Sequence, residues 1–239
     1  MTKRFLILAT ALALSVAAPC WAGVSVGSGG SISLGQGTID LGGGDLAIDG
    51  QFNVAGGSVF GAGNVLINGT LEGGSGPLEV LGDWINNGSF NAGTGSVQLL
   101  DDTGSTAQVG GSSTFHALSM TSSAGGAFVL ESGQAQRVLS SLTIQGSGSP
   151  VQIRSSNPPQ AAELVLERGG SQNISNVGVS DVHATGEHLA PQQSNQGGTG
   201  NAFGWFGIGI LAVPTLSLGG LILLILAFFG VALLRRGGA

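Results

Sequence analysis

The sequence predicts an all-β protein, with a parallel β-helix (β-solenoid) body between an N-terminal signal peptide and one C-terminal transmembrane helix. Three observations carry this expectation. Short runs such as "SISLG", "TIDLGGG", "LAIDG", "VLING", "LEVLG", "SVQLL" and "LTIQG" alternate apolar and polar residues, and Gly, Asn, Asp or Ser separates them. No stretch between the two ends has helical periodicity. The composition, with 45 glycines in 239 residues and only 8% charged side chains, lies far from the quarter or so of charged residues in an ordinary soluble domain. Such a chain is either a repetitive β protein or a flexible stalk, and the alternation favours the former. Coils of ~20 residues cannot bury a core alone and must stack, which gives about eight coils here. A β-sandwich is the alternative, because strands spaced about 8–12 residues apart suit it as well.

The N-terminal segment "MTKRFLILATALALSVAAPCWAG" starts with Lys3 and Arg4 and continues with an apolar run from Phe5 to Ala18. Cys20 and Ala22 then occupy the −3 and −1 positions before Gly23, the pattern of a secretory signal peptide over residues 1–22. A lipoprotein signal with Cys20 acylated competes with this reading, and Pro19 directly before the cysteine argues against it. Cleavage after Ala22 removes the chain's one cysteine, leaving no disulfide, thiol nucleophile or thiolate metal site.

The body follows over residues 23–205. All 13 acidic residues fall between Asp40 and Glu187, opposed there only by Arg137, Arg154 and Arg168. An acidic body of this kind does not suit a phosphate backbone, so nucleic acid is not an expected partner. The stretch from Gly82 to Met120 contains Gly82, Trp84, Asn86, Asn87, Gly88 and Phe90, then Gly93-Thr94-Gly95, then Thr114, Phe115 and Leu118. This pattern resembles repeats of bacterial surface proteins, which implies a parallel β-helix with Leu118 in the coil interior. Phe115 and Leu118 are an odd number of residues apart, so a straight strand cannot bury both, whereas a coil corner between them can. "VGVSDVHATGEHLAP", followed by "GGTGNAFGW", resembles the closing part of such domains, with Trp205 as its end. Asn53, Asn86 and Asn87 suit turns that tolerate left-handed backbone better than stacked ladders. "SNQGGTGN" (194–201) reads as an exposed loop or linker, and Pro158-Pro159 as an excursion from the coil.

The C-terminal segment, residues 206–239, begins a 19-residue uncharged run at Leu216 that ends at Leu234. As a helix rising ~1.5 Å per residue it would span about 28 Å, close to the ~30 Å hydrocarbon core. Pro214 suits a first helical turn, and Arg235 and Arg236 form a basic stop that stays cytoplasmic. Val213, Pro214, Thr215, Leu216 and Ser217, with Gly220 further on, precede this helix and basic tail in an order that resembles the IPTL-CTERM sorting signal. Val213 stands in place of the usual isoleucine, and Gly219 in place of the usual tryptophan. The resemblance implies processing by an exosortase, a membrane-embedded enzyme of Gram-negative bacteria, with transient residence in the cytoplasmic membrane before release to the surface. A permanent anchor is the alternative reading of the same residues.

Chemistry-bearing constellations are sparse. Asp101-Asp102, with His116 about one coil away, is the best candidate for paired acid–base work. Adjacent strand residues face opposite ways, however, and "DDTG" reads as a turn. His183, Glu187 and His188 lack a recognised metal-ligand spacing. "LGGGDLAID" lacks the spacing of a calcium nonapeptide. No cofactor is expected. The sequence therefore predicts a non-catalytic surface or matrix protein whose exposed polar residues meet polysaccharide or other surface proteins. A β-helical polysaccharide lyase or hydrolase and a membrane-anchored spacer are the alternatives.

Overall fold

The computed structural model describes residues 23–207. The expected signal peptide, with Cys20 and Ala22, lies outside the described residues. So do the motif from Val213 to Ser217, Gly220, the apolar run, and Arg235 and Arg236.

The described residues are all β, with 21 strands and no helix. The first four coils carry three strands each: β1 (Val24–Val26), β2 (Ser31–Ser33) and β3 (Thr38–Asp40); β4 (Leu46–Ile48), β5 (Gln51–Asn53) and β6 (Ser58–Ala62); β7 (Val65–Ile67), β8 (Thr70–Glu72) and β9 (Pro77–Val80); β10 (Trp84–Asn86), β11 (Ser89–Asn91) and β12 (Ser96–Asp101). Then come β13 (Thr106–Gly110), β14 (Ser113–Ser122), β15 (Ala127–Leu130), β16 (Ala135–Gly146), β17 (Val151–Ser155), β18 (Ala162–Leu166), β19 (Ser171–Ser175), β20 (Val177–Ser180) and β21 (Val182–Gly186).

The first sheet holds eight strands in the order β1-β4-β7-β10-β13-β15-β17-β20, and the second holds β2, β5, β8 and β11. The third runs from β3 through β6, β9, β12, β14, β16 and β18 to β21, with β19 beside β16. Neighbouring strands pair parallel in all three, as β4 with β7 and β12 with β14 do. This is a parallel β-solenoid of about eight turns, and the sandwich alternative, which needs antiparallel sheets, falls. Val65 pairs with Leu46 below and Trp84 above, an offset of 19 residues in these coils.

Alternation explains the interior. In β4 and β7, Leu46, Ile48, Val65 and Ile67 point inward and are buried, while Ala47 and Leu66 between them face outward. Each fully buried aliphatic side chain contributes roughly 1.5–3 kcal/mol. Stacked turns leave no room for a Cβ at some sites. One built on Gly69 would lie 2.1 Å from the Gly50 carbonyl oxygen, and one on Gly88 2.2 Å from that of Gly69.

The second sheet stops at β11, and aromatic side chains fill the space. The Trp84 ring meets Phe90 edge-on at 4.9 Å and lies 5.5 Å from Phe115. Its indole N–H donates to Ser113 Oγ at 3.0 Å. Beyond this plug the corner between the second and third faces opens, so β14 and β16 run across both with 10 and 12 residues. The corner survives as a bulge: Phe115 pairs with Val138 and Ala117 with Ser141, leaving His116 opposite Leu139 and Ser140. Both Phe115 and Leu118 are therefore buried, at 0% and 3% exposure.

The far end is closed by a partial turn. Asn195, in the segment expected as a loop or linker, behaves as a surrogate strand: its side-chain amide accepts from Val179 N–H and donates to Val179 C=O, both at 2.8 Å. Gln196 N–H donates to Val177 C=O, and Ala184 N–H to Phe203 C=O. Trp205 pairs with Leu189, and both Trp205 and Phe206 are buried. Pro158-Pro159 sits in the excursion between β17 and β18, as expected.

Two substitutions test this packing. Leu118→Asp places a carboxylate between Val97 and Leu142 in the core. It should lower stability by several kcal/mol, read as a large drop in melting temperature. Gly69→Ala forces a methyl group against the coil below and should cost about 1–3 kcal/mol by denaturant titration. An unchanged midpoint in either variant would contradict the stacking described.

Candidate functional site

Asp101 is the first candidate, and the structure gives it a structural task. It ends β12 at 4% exposure. Its Oδ1 accepts from Thr103 N–H (3.2 Å), Thr103 Oγ1 (3.2 Å), Ser105 N–H (2.9 Å) and Ser105 Oγ (3.1 Å). Its Oδ2 accepts from Ser122 Oγ at 2.7 Å and Gly126 N–H at 3.1 Å. Burial alone would raise its pKa, but the Ser122 hydroxyl and the donors of Ser105 and Thr103 outweigh that and lower it to about 2. A carboxylate so fully engaged holds the 101–105 loop onto the 122–126 loop and is a poor proton acceptor. Asp102 points the other way, is exposed, and accepts from Ser123 Oγ at 3.0 Å. His116 sits at the bulge in β14. β12 ends at Asp101 and Asp102 begins the loop that follows, so the turn expected of "DDTG" separates the two carboxylates, one buried and one exposed.

The other histidines are engaged near the closing turn. His183 stands edge-on to Phe203 at 6.0 Å, and the His188 ring bonds the Phe206 carbonyl oxygen. Glu187 accepts from Gly169 N–H at 2.7 Å. Among the described residues no group of three His, Cys, Asp or Glu side chains is placed to hold a metal ion.

The asparagines require a correction: Asn53, Asn86 and Asn87 do not have left-handed backbone. Asn87 belongs to a ladder, in which its Nδ2 donates to Asn68 Oδ1 (3.1 Å) and Asn68 Nδ2 donates to Asp49 Oδ1 (2.8 Å). Each of these residues precedes a glycine, in Asp49-Gly50, Asn68-Gly69 and Asn87-Gly88, so the 19-residue recurrence of this dipeptide was the signal in the sequence. A second row runs from Asp45 through Asn64 to Asp83, and Asp83 receives Gln108 N–H at 2.7 Å. A third stacks Asn53, Glu72 and Asn91. In the second row the Asn64 amide separates two carboxylates that would otherwise repel across one strand spacing of about 4.8 Å, and in the other two rows each carboxylate has only amides as stacked neighbours. Asp45 and Asp49, the acids of "LGGGDLAID", are spent in these ladders. Asn86 instead turns inward, donating to Ser112 C=O and Ser113 Oγ.

The third sheet carries a broad neutral stretch of face over parts of β12, β14, β16 and β19. Outward positions are Ser96, Gln98 and Leu100 on β12, Ala117, Ser119 and Thr121 on β14, Ser141, Thr143 and Gln145 on β16, and Ser171, Asn173 and Ser175 on β19. None is charged. Parallel pairing sets their hydroxyls and amides on a grid, about 4.8 Å between strands and near 7 Å along them. The alternation in "SVQLL" and "LTIQG" showed which residues face outward, but only the register shows that they form one surface.

No family model matches the chain, and no curated protein or solved structure matches it.

Asp101 makes acid stability testable. Its folded pKa lies below the unfolded value of 3.8, so its contribution is complete above pH 4 and is lost as pH falls toward 2. The shift is worth about 2 kcal/mol. Asp101→Asn should lower stability at pH 7 by a comparable amount and flatten the stability–pH curve between pH 4 and 2, measured by denaturant titration. An unchanged acid limb would remove Asp101 from this role.

Proposed function

We propose that this chain is a non-catalytic, secreted surface or extracellular-matrix protein of a bacterium. In this reading residues 1–22 direct export, and the IPTL-CTERM-like tail delivers the precursor to the cytoplasmic membrane with its body outside. An exosortase then processes it near Pro214, Thr215 and Leu216. The body acts by display: a stiff stack holds the neutral hydroxyl and amide face toward polysaccharide or neighbouring surface proteins.

The observation that carries the reading is that face. Its side chains exchange hydrogen bonds with sugar hydroxyls without demanding a charged ligand. A lyase or hydrolase instead needs acidic and basic groups converging on one groove. The best candidate acid, Asp101, is committed to holding loops. A permanently anchored spacer differs from the sorted protein only in the fate of its tail, so the tail is where the test belongs.

Pro214→Ala combined with Thr215→Ala leaves the apolar length of the helix intact and should not impair membrane insertion. Processing should fail, and the full-length precursor should accumulate in the cytoplasmic membrane. The measurement is intact mass and cell fraction in a host with its own sorting enzyme. Wild type that keeps its tail would refute sorting, and a double variant trimmed like wild type would remove the motif's role.

A further inference from the structure

The two ends of the solenoid differ. At the far end Asn195, Gln196 and Phe203 cover the last strands. At the near end β1, β2 and β3 are the terminal strands of all three sheets, and nothing pairs with their outer edges among the described residues. Apart from Val26 and Leu41, the apolar side chains of this coil are also unfinished. Val24, Ile32 and Ile39 are only partly buried, whereas Leu46, Phe52 and Val59, their register partners one coil in, are at or below 1% exposure. Leu34 shares this state. An open edge of this kind is normally blunted with lysine, proline or an inward charge. From Gly23 to Ile39 there is no charged side chain and no proline, and Asp40 at the very end of β3 is the one charged side chain on these three strands.

We infer that this end coil is a self-association surface that joins two copies of the chain head to head. Several features select a second copy. The face carries two charges of opposite sign, Asp40 at the end of β3 and the Gly23 ammonium that cleavage exposes ahead of β1, and with β2 on the axis the crosswise antiparallel pairing sets each against the other in the second copy. A two-fold axis lying in the end plane reverses the winding of the second coil, so edges meet antiparallel. One strand then pairs with its own copy and the other two pair crosswise. The opposite end is covered, so head-to-tail growth is blocked and the assembly closes at two. The coil contributes about 20 residues per side, the scale of a standard stable interface.

The inference rests on removal of residues 1–22 as proposed above, because cleavage after Ala22 leaves only Gly23 ahead of β1. The test uses the full chain expressed in an exporting Gram-negative host and purified in detergent. Intact mass reads the N-terminus, and sedimentation velocity reads the oligomeric state. The expected result is a chain beginning at Gly23 that sediments as a dimer. Ser31→Lys with Ser33→Lys, at exposed outward positions on β2, should convert it to monomer with an unchanged circular dichroism melting curve. A monomeric wild type beginning at Gly23 would overturn the dimer alone. A monomer retaining residues 1–22 would overturn the dimer and the export reading together. A dimer that both lysines leave intact would place the contact elsewhere and overturn the inference.

Discussion

In-register stacking is the constraint on which the rest of this structure depends. Each coil completes the backbone hydrogen bonds of the one below, so every position inherits the surroundings of a residue one turn earlier. That inheritance sets side-chain character along whole columns. Leu46, Val65 and Trp84 share an inward column and are apolar, while Asp45, Asn64 and Asp83 share an outward one and are polar. It also sets what the columns must avoid. Carboxylates stacked at one strand spacing repel; the Asn64 amide separates Asp45 from Asp83, and the Asn68 amide bonds Asp49. Where the surrogate strand at Asn195 takes over, a side-chain amide reproduces the same pairing without continuing the backbone ladder.

Much of the fold was legible because its signals are local. Period-two alternation marks strands, glycine and asparagine mark turns, and strands this short have no partner except a neighbouring coil. The odd spacing of Phe115 and Leu118 called for a corner, and the bulge at His116 supplies it. What stayed hidden was set by contacts between distant residues. The changeover at the Trp84–Phe90–Phe115 plug depends on rings that meet from separate coils. Asp101 draws donors from its own loop and from Ser122 and Gly126, and only the loop donors are visible as neighbours in sequence. The asparagine ladders follow from a 19-residue recurrence too long to be seen as a local pattern.

The same separation of local from distant contacts shapes the functional reading. In the first coils carboxylates are taken up in ladders, and near the far end the histidines are bound to backbone or rings. On the third sheet the outward positions of β12 and β19, and of β14 and β16 beyond the bulge, are uncharged. A broad neutral surface on a rigid stack suits many weak contacts spread over a long polymer better than one deep site. Hydroxyls and amides at fixed spacing lose little freedom on engaging a ligand, because the strands that carry them are already ordered.

The ladders also govern how such a protein can change in length. Inserting a few residues into coils two to four would offset Asn64 from Asp45 and Asn68 from Asp49, set carboxylates against carbonyls, and press the stacked glycines into side chains. Duplicating one whole turn would leave each row intact and merely longer. The unit of inheritance in this part of the molecule is therefore the turn, and the rod's reach grows or shrinks in whole steps of one strand spacing.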